Sequence, residues 1–510
     1  MARRSGRPHR QGRDGVPQLD YRQVFNPYKP TEVLTAEQVE RIHNASLEVL
    51  ESMGMTVLGD DALRILEKSG AKVDRSQRRV YFDRDMVLEL VAHAPSSFTL
   101  RGRDPAKRVR AGDGNMAFVS VGGPPFCSDL DGGRRAGNYA DFVNFLKVTQ
   151  QLNIIHVEGG CSIEPIDLPV PTRHLDIYRA QIGYLDKPWK PLSIGRVRVR
   201  DALEMAKLSL QETDEGLAAD PIFLTVVNTN TPLTLDGPMG EAIIEMAKAG
   251  QPVCITPFTL AGAMAPVTIA GALVLQNAEV LAGISLAQMV NPGCPICYGA
   301  FTSNVDMRTG SPAFGTPEYA KAAQASGQLA RRYRLPWRSS NVNGSCAPDA
   351  QAAYESEMSL WGAAMGHVGI LNQGAGWLEG GLVASFEKLI IDAEMLQMMA
   401  AYLEPLTVDE GSLGLSAIAE VGPGGHFFGS SHTLARYETA FYAPLLSDWR
   451  NFENWRDSGS KTAEVRANDI WKSLLRDYQA PPMDASIAEA LDAYVAHRKR
   501  EIAAGIEVPA

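Results

Sequence analysis

The sequence predicts a (β/α)8 barrel with an α+β N-terminal subdomain and a C-terminal extension. Short apolar runs rich in β-branched residues recur roughly 30 to 45 residues apart, and helix patterns fill the intervals between them. A strand followed by a helix at this spacing forms one βα unit, and eight units close a barrel. The eight runs cover residues 116–121, 154–161, 189–194, 222–227, 252–256, 296–301, 336–341 and 368–371. The predicted boundaries are a flexible arm at 1–30, the subdomain at 31–115, the barrel at 116–406 and the extension at 407–510.

The N-terminal subdomain is predicted from two helix patterns followed by short strand patterns. Apolar residues recur at helical spacing over residues 34–54, and Thr35 with Gln38 three residues later forms a capping-box signature. A second helix is predicted over residues 60–68. The alternating segments 79–82 and 98–101 then favour strands of an antiparallel cap.

The barrel interior and its active-site face are predicted from what lies between the apolar runs. Helix patterns cover residues 201–211, 241–249, 266–290 and 317–333, and a last amphipathic helix covers 484–500 in the extension. Glycine or polar residues follow several of the runs, as in Gly122-Gly123 and Asn228-Thr229-Asn230. Because the carboxyl ends of barrel strands carry the active site, these loops are predicted to form the catalytic face.

Residues 344–382 give the most specific local prediction, which is a loop, a helix and a buried strand. Asp349 stands where an N-cap is expected, because a carboxylate there accepts backbone N–H bonds. The helix is predicted over residues 350–365, which contain no proline and repeat apolar residues at helical spacing. The strand after it ends in glycines with Trp377 and Glu379, which is typical of the active-site rim of a parallel barrel.

Composition excludes several classes of protein. A formal net charge of −10 over 510 residues argues against nucleic acid as a partner. The arginine-rich N-terminus has no apolar segment after it, so a secretory signal is not expected, and no apolar run approaches the ~20 residues of a membrane span. The six cysteines show no framework spacing, which favours the reducing cytoplasm. A homo-oligomer is also expected.

Three stretches carry a resemblance to the trimethylamine methyltransferase family. The first reads PDAQAAYE at 348–355 and continues as GAGWLEGGL at 374–382. The others are EVGPGGHFFGSSHT at 420–433 and LLSDWRNFENW at 445–455. These motifs are highly specific and span the last third of the chain, while the first two thirds resemble the family more loosely.

The resemblance implies a barrel enzyme that moves a methyl group from a methylamine onto the cobalt of a corrinoid held by a partner protein. On this view the chain binds no cofactor itself, since the cognate corrinoid protein brings the nucleophile. Family members that use trimethylamine carry pyrrolysine close to the stretch that reads RSSNVNGSC at 338–346 here. This stretch has ordinary residues only, so the chain resembles the branch without pyrrolysine, some of whose members demethylate glycine betaine. A small quaternary amine, glycine betaine or a similar compound, is therefore the expected donor.

Aromatic residues are the first candidates for binding such a donor. A fully methylated ammonium cannot donate hydrogen bonds and is held best by ring faces, each contributing ~0.5–2 kcal/mol when desolvated. For every ring the alternative is ordinary core packing. The rim candidates are Phe126, Trp189, Phe258, Phe301, Trp337 and Trp377.

Polar residues complete the predicted substrate site. His367, between a helix pattern and the last strand, suits a substrate carboxylate, and Glu379 suits the ammonium. The alternatives are a structural histidine and a structural acceptor for loop amides. The remaining candidates are Asn228, Asn343 and Gln373. No general acid–base pair is required, because a tertiary amine leaves without a proton transfer.

The resemblance places the glycine-rich motif at the mouth of the barrel. Its glycines permit close backbone approach and its histidines offer imidazoles, so the corrinoid or its protein is expected to contact Gly424, Gly425, His426 and His432.

Cys294 and Cys297 form a C-x-x-C pair, but a tetrahedral zinc site needs two further ligands and no second pair follows. Both cysteines are expected to be buried small residues, and no metal site is predicted. Two other functions stay open at this point. They are a zinc-dependent barrel methyltransferase and a catalytically inactive barrel that binds betaine.

Overall fold

The computed structural model describes residues 16–509 and shows a mixed α/β protein. The helices are α1 (Ala36–Glu48), α2 (Asp60–Lys68), α3 (Arg84–Ala92), α4 (Tyr139–Gln151), α5 (Arg173–Tyr184), α6 (Gly195–Leu210), α7 (Asp214–Ala219), α8 (Gly237–Lys248), α9 (Ile269–Val290), α10 (Pro317–Arg332), α11 (Ala350–Met365), α12 (Phe386–Tyr402), α13 (Glu410–Leu413), α14 (Leu415–Val421), α15 (Ser431–Leu434), α16 (Phe452–Asp457), α17 (Ala463–Arg476) and α18 (Ala485–Ala503).

The strands are β1 (Val24–Phe25), β2 (Met55–Val57), β3 (Lys72–Asp74), β4 (Arg79–Tyr81), β5 (Phe98–Leu100), β6 (Val109–Ala111), β7 (Asn115–Ser120), β8 (Phe126–Asp129), β9 (Gly133–Ala136), β10 (Thr225–Val227), β11 (Thr234–Leu235), β12 (Val253–Ile255), β13 (Thr259–Ala261), β14 (Ile296–Gly299), β15 (Thr302–Val305), β16 (Pro312–Ala313), β17 (Trp337–Ser340), β18 (Ile370–Ala375), β19 (Trp377–Leu378) and β20 (Val383–Ser385). A π-helical turn, Val49–Met53, extends α1, and a 3-10 turn covers Glu379–Gly381.

A parallel sheet contains six of the eight predicted barrel strands. Its parallel order is β10-β12-β14-β17-β18-β7, and β1 pairs antiparallel with β7. The other two predicted strands, 154–161 and 189–194, are joined by single parallel bridges, Val119 to Val157 and Glu158 to Trp189. The eight runs thus pair in chain order across seven junctions. At the remaining junction, between the third and fourth runs, the rings of Trp189 and Phe223 lie 4.6 Å apart.

The amino ends of these strands enclose a small apolar core. Side chains from the parallel strands pack against the β5–β6 hairpin, which lies just before β7 in the chain. The contacting residues are Phe98, Leu100, Val109 and Ala111 of the hairpin and Ala117, Val119, Val157, Leu224, Cys254, Cys297 and Ile370 of the strands. Polar side chains are buried instead at the carboxyl ends, where the candidate site lies.

The N-terminal elements match the sequence prediction closely. Thr35 caps α1, and its side chain and that of Gln38 form the predicted capping box. Strand β4 lies between β2 and β3 in an antiparallel arrangement, and α1 and α3 pack along α9. The predicted flexible arm is wrong for residues 16–30. Strand β1 pairs with β7, and buried Asn26 donates to the Ala364 carbonyl (2.8 Å). Residues 1–15 lie outside the described residues.

Helix α9 corrects the expectation about long apolar segments. Its 22 residues are apolar enough to span a membrane by length and composition, but 78% of its apolar window is buried inside the protein. Gln276, Asn277 and Glu279 on this helix make internal hydrogen bonds, among them Gln276 Nε2 to Ser326 Oγ (2.9 Å). Helix α9 is therefore a core helix of this protein.

Candidate functional site

A cluster of aromatic rings lies at the carboxyl ends of neighbouring parallel strands. Phe258 follows β12, Phe301 follows β14 and Trp377 follows β18, so the order of the strands brings the three rings together. Ring centroids are 5.3 Å apart for Phe258–Phe301 and 6.3 Å apart for Phe301–Trp377. Phe314 joins the cluster 5.7 Å from Phe301 and 6.2 Å from Trp377. These four rings are called the ring cluster below.

Local backbone structure fixes Trp377 in the ring cluster. Its indole Nε1 donates to the Asn343 carbonyl (3.1 Å), and Asn343 Nδ2 donates to the Trp377 carbonyl (2.7 Å). The indole also lies on Gly381, whose φ is +101° and where an added Cβ would come 2.5 Å from the ring. Only glycine allows both this conformation and this contact, which explains one glycine of the GAGWLEGGL motif.

A buried ion pair on α12 bonds to the backbone of the same motif. Lys388 pairs with Asp392, and the two side chains are fully buried on α12. Asp392 also accepts from the Gly376 backbone N–H (2.8 Å) and from Asn341 Nδ2 (3.1 Å). Burial raises the pKa of Asp392, while Lys388 opposes that rise. Through Asp392 the pair joins the residues that follow β17 and β18 to α12.

Two buried cations lie beside the ring cluster. Lys190 and Arg338 are 7% and 2% exposed, and the Arg338 guanidinium lies 5.0 Å from the Phe301 ring centroid. Lys190 Nζ donates to Asn372 Oδ1 (3.0 Å), and Arg338 Nη2 donates to Gln373 Oε1 (2.8 Å). Burial, reinforced by the Arg338 charge, lowers the pKa of Lys190 to about 8.

Glu158 is a buried acidic group whose charge acts on Lys190. It accepts from Ser162 Oγ (2.5 Å), from Gln181 Nε2 (2.6 Å) and from the Gly160 N–H (3.0 Å). Burial raises the pKa of Glu158 to about 7, against the lowering effect of these hydrogen bonds and of Lys190. This end of the sheet therefore carries positive charge at neutral pH, with a carboxyl group that titrates there.

Glu379 and Phe126 form a separate contact. Arg134 Nε donates to both carboxylate oxygens of Glu379 at 3.0 Å, and the Arg134 guanidinium lies 3.8 Å from the Phe126 ring centroid. Arg134 therefore contacts both the Glu379 carboxylate and the Phe126 ring, the two groups that were predicted to bind the methyl donor. The neighbouring Gly380 nevertheless lies against Phe314, so this contact borders the ring cluster.

Other predicted residues lie away from the ring cluster. His367 and Trp337 are at the amino ends of β18 and β17, where Trp337 Nε1 donates to the His367 carbonyl (2.7 Å) and His367 Nε2 contacts the Tyr28 carbonyl (2.7 Å). Trp189 packs against Phe223 and Tyr178 in the core. Asn228 is exposed directly after β10.

The residues predicted to face the corrinoid are on the surface. Gly424, Gly425, His426 and His432 are all exposed in the segment that contains α14 and α15. His432 Nε2 lies 3.0 Å from the Gly411 carbonyl, and the rings of His426 and Phe428 are 6.2 Å apart. No contact in residues 16–509 joins these four residues to the ring cluster.

The cysteine pair offers no metal ligand set. Cys294 and Cys297 are buried, and burial raises the pKa of Cys294 to about 12, which disfavours a thiolate. Cys297 lies opposite Cys254 in the β12–β14 ladder. Within residues 16–509 no group of three or more His, Cys, Asp or Glu side chains is placed to hold a metal ion. The zinc-dependent alternative is not favoured.

Four site residues were missed by the sequence predictions, namely Glu158, Lys190, Phe314 and Arg338. Three of them left a signal, because each is a charged residue inside a predicted buried strand, where an unpaired charge is costly. Phe314 left none, since it belongs to a loop segment that only the fold brings to the rings.

Several known proteins resemble this chain over most of its length. A family model described as trimethylamine methyltransferase (MTTB) matches residues 2–503. A glycine betaine methyltransferase of Desulfitobacterium hafniense is 38% identical over 471 residues, which are 92% of this chain and 98% of that protein. A trimethylamine methyltransferase of Methanosarcina mazei is 30% identical, with 92% and 96% covered.

Among solved structures, the monomethylamine methyltransferase of Methanosarcina barkeri aligns with a TM-score of 0.52 at 12% identity, covering 89% of this chain and 90% of that one. This similarity concerns the fold. The sequence matches confirm the predicted family and the predicted enzyme class, a methyltransferase. The chain belongs to the trimethylamine methyltransferase family.

Proposed function

We propose that this protein transfers a methyl group from a small quaternary amine, glycine betaine or a close analogue, to the Co(I) of a corrinoid carried by a partner protein. The observation that carries the proposal is the ring cluster, Phe258, Phe301, Phe314 and Trp377, at the carboxyl ends of parallel strands. Ring faces are the surfaces that bind a permanently charged ammonium, because it offers no hydrogen-bond donor.

The chemistry suits a site of this composition. The acceptor supplies a strong nucleophile, the N–CH3 bond breaks, and its electron pair stays on nitrogen as the neutral tertiary amine. No proton moves, so the chain only has to desolvate the cation, aim one methyl group and exclude water. Three of the four rings are buried and Phe258 is half-buried, as that task requires.

The choice of donor is supported by the relatives and by the sequence near β17. The 38% identical relative is named for glycine betaine, whereas the Methanosarcina mazei relative named for trimethylamine is 30% identical. Residues 338–346 are ordinary amino acids throughout, in line with the branch without pyrrolysine.

Three further parts of the proposal concern the whole protein. The eight strand runs close into a barrel through the Trp189–Phe223 contact. The corrinoid protein docks where Gly424, Gly425, His426 and His432 are exposed. The enzyme works as a homo-oligomer in the cytoplasm, a compartment that suits its free cysteines.

A defined reaction tests the proposal. The protein is mixed with a reduced corrinoid protein and, in separate samples, glycine betaine, carnitine, choline or trimethylamine. The visible spectrum of the corrinoid and the demethylated amine are then followed. We expect methylation with glycine betaine together with dimethylglycine, and none with trimethylamine. Binding of betaine without transfer would support a catalytically inactive barrel instead.

A further inference from the structure

The two buried cations support an inference that rests on the proposed function and concerns the second group of the donor. Lys190 and Arg338 are buried, with Lys190 bonded to Asn372 of β18 and the Arg338 guanidinium bonded to Gln373 of β18 and to the Ala300 carbonyl. Within residues 16–509 neither cation has a carboxylate in ion-pair distance. Burying positive charge without a counter-charge is costly, so such a pair is best satisfied by an anion that arrives with the ligand.

Gln373 of β18 bonds to Arg338 and adjoins Asn372, the partner of Lys190. Its Oε1 accepts from Arg338 Nη2 and from Ser340 Oγ, both at 2.8 Å, so its amide nitrogen remains to donate elsewhere. No described residue accepts from that nitrogen, and Gln373 is only half-buried. Arg338 Nε is also buried without an acceptor among residues 16–509. The unused donors therefore belong to Gln373 and to its partner Arg338, and Gln373 directly follows Asn372, to which Lys190 is bonded.

The position of Arg338 relates this group of donors to the ring cluster. Its guanidinium lies 5.0 Å from the Phe301 ring, so an anion near Gln373 and a cation on the rings would be close neighbours. We infer that Lys190, Arg338 and Gln373 form a carboxylate subsite, and that the donor is a zwitterion whose carboxylate is a few atoms from its quaternary nitrogen.

The test compares donors that differ only in the carboxylate. Binding of glycine betaine and of tetramethylammonium to the full-length protein is measured by calorimetry, and transfer from each to a reduced corrinoid protein is measured in parallel. We expect glycine betaine to bind at least tenfold more tightly, and Lys190→Met to remove most of that preference. Lys187→Met is the control, because Lys187 is equally buried but is bonded to the Thr149 and Leu152 carbonyls instead.

The outcomes separate the two proposals. The carboxylate subsite is overturned if the wild type binds glycine betaine and tetramethylammonium with equal affinity. It is also overturned if Lys190→Met weakens the binding of both ligands equally. Neither result contradicts the proposed methyl transfer. Transfer from no quaternary amine, with a corrinoid protein known to be competent, overturns the proposed function. If Lys190→Met does not fold, the wild-type comparison alone decides.

Discussion

At the scale of single residues, Phe301 is the centre of the site. Its ring lies within 6.3 Å of Phe258, Phe314 and Trp377, and the Arg338 guanidinium lies 5.0 Å from its centroid. No other described ring contacts all of these groups. The Phe301 ring therefore contacts both the other ring faces, which suit a methylated cation, and the Arg338 guanidinium.

Replacing Phe301 by leucine removes a ring face while retaining an apolar side chain. If each ring contributes ~0.5–2 kcal/mol to binding the cation, kcat/KM should fall roughly 2- to 30-fold. Steady-state rates of methyl transfer measure this change. Phe82→Leu is the control, since Phe82 is equally buried in the N-terminal region and should leave kcat/KM unaltered. An equal loss in both variants would indicate a general effect of repacking.

The pKa of Lys190 predicts how binding depends on pH. Burial first, and Arg338 second, lower this pKa to about 8, while Glu158 and Cys254 oppose the shift. The side chain is therefore charged below pH 8 and loses its charge above it. The Kd of glycine betaine should stay level up to about pH 7 and rise about tenfold between pH 7 and pH 9, while that of tetramethylammonium stays constant. Calorimetry at several pH values checks this, and parallel curves for the two ligands would contradict it.

Residue-level prediction from sequence succeeded for local signals and failed for long-range ones. The caps at Thr35 and Asp349 were predicted correctly, because a cap depends on residues within one helical turn. His367 was placed correctly between a helix and a strand. That position is before the amino end of β18, however, whereas Gln373 lies in its carboxyl half. Lys190 and Arg338 were missed because their roles depend on strands far apart in the chain.

At the scale of elements, the turn after β18 determines whether Trp377 can join the ring cluster. In Gly381→Ala the new Cβ meets the indole and the residue must hold a φ of +101°. Gly459→Ala is a matched control, with the same φ of +101° and no described heavy atom within 4 Å of its Cβ. Both variants should lose about 1–2 kcal/mol of stability through backbone strain, but only Gly381→Ala should also lose most of its methyl transfer. Equal activity in the two variants would show that the position of Trp377 is unimportant.

Helix α12 anchors this turn through Asp392. Asp392→Asn leaves Lys388 buried without its counter-charge, which should lower the free energy of unfolding by about 3–5 kcal/mol. The double variant Lys388→Met, Asp392→Leu removes both charges and should be less destabilised than Asp392→Asn. Chemical denaturation of the three proteins measures the difference. A double variant that is less stable than the single one would mean that the ion pair itself contributes net stability.

Strand prediction shows where sequence patterns stop being sufficient. Helix α11 was predicted with the bounds that it has, Ala350–Met365, since its signals are internal to the helix. The apolar runs at 154–161 and 189–194 were predicted as full strands, yet each forms single bridges. A strand exists only through its neighbours, so its length cannot be read from its own residues.

At the scale of the whole molecule, the two ends of the parallel strands have separate tasks. The amino ends are filled by the β5–β6 hairpin and are apolar, whereas the carboxyl ends carry the ring cluster and the buried cations. One of the C-terminal motifs that identified the family, residues 374–382, contributes Trp377 and Gly381 to the site. Sequence therefore revealed the family, the α/β class and three of the four rings. Phe314, Lys190 and Arg338 were recognised only from the fold.

We propose that this chain presents a permanently charged methyl donor to a nucleophile supplied by its partner. Glycine betaine labelled with 13C in its methyl groups, incubated with the protein and a reduced corrinoid protein, tests it most directly by NMR. We predict that one labelled methyl group per turnover moves to the corrinoid protein and that labelled dimethylglycine accumulates, both more slowly with Phe301→Leu. Label that stays entirely in glycine betaine, with a corrinoid protein that accepts methyl groups from another source, would contradict the claim.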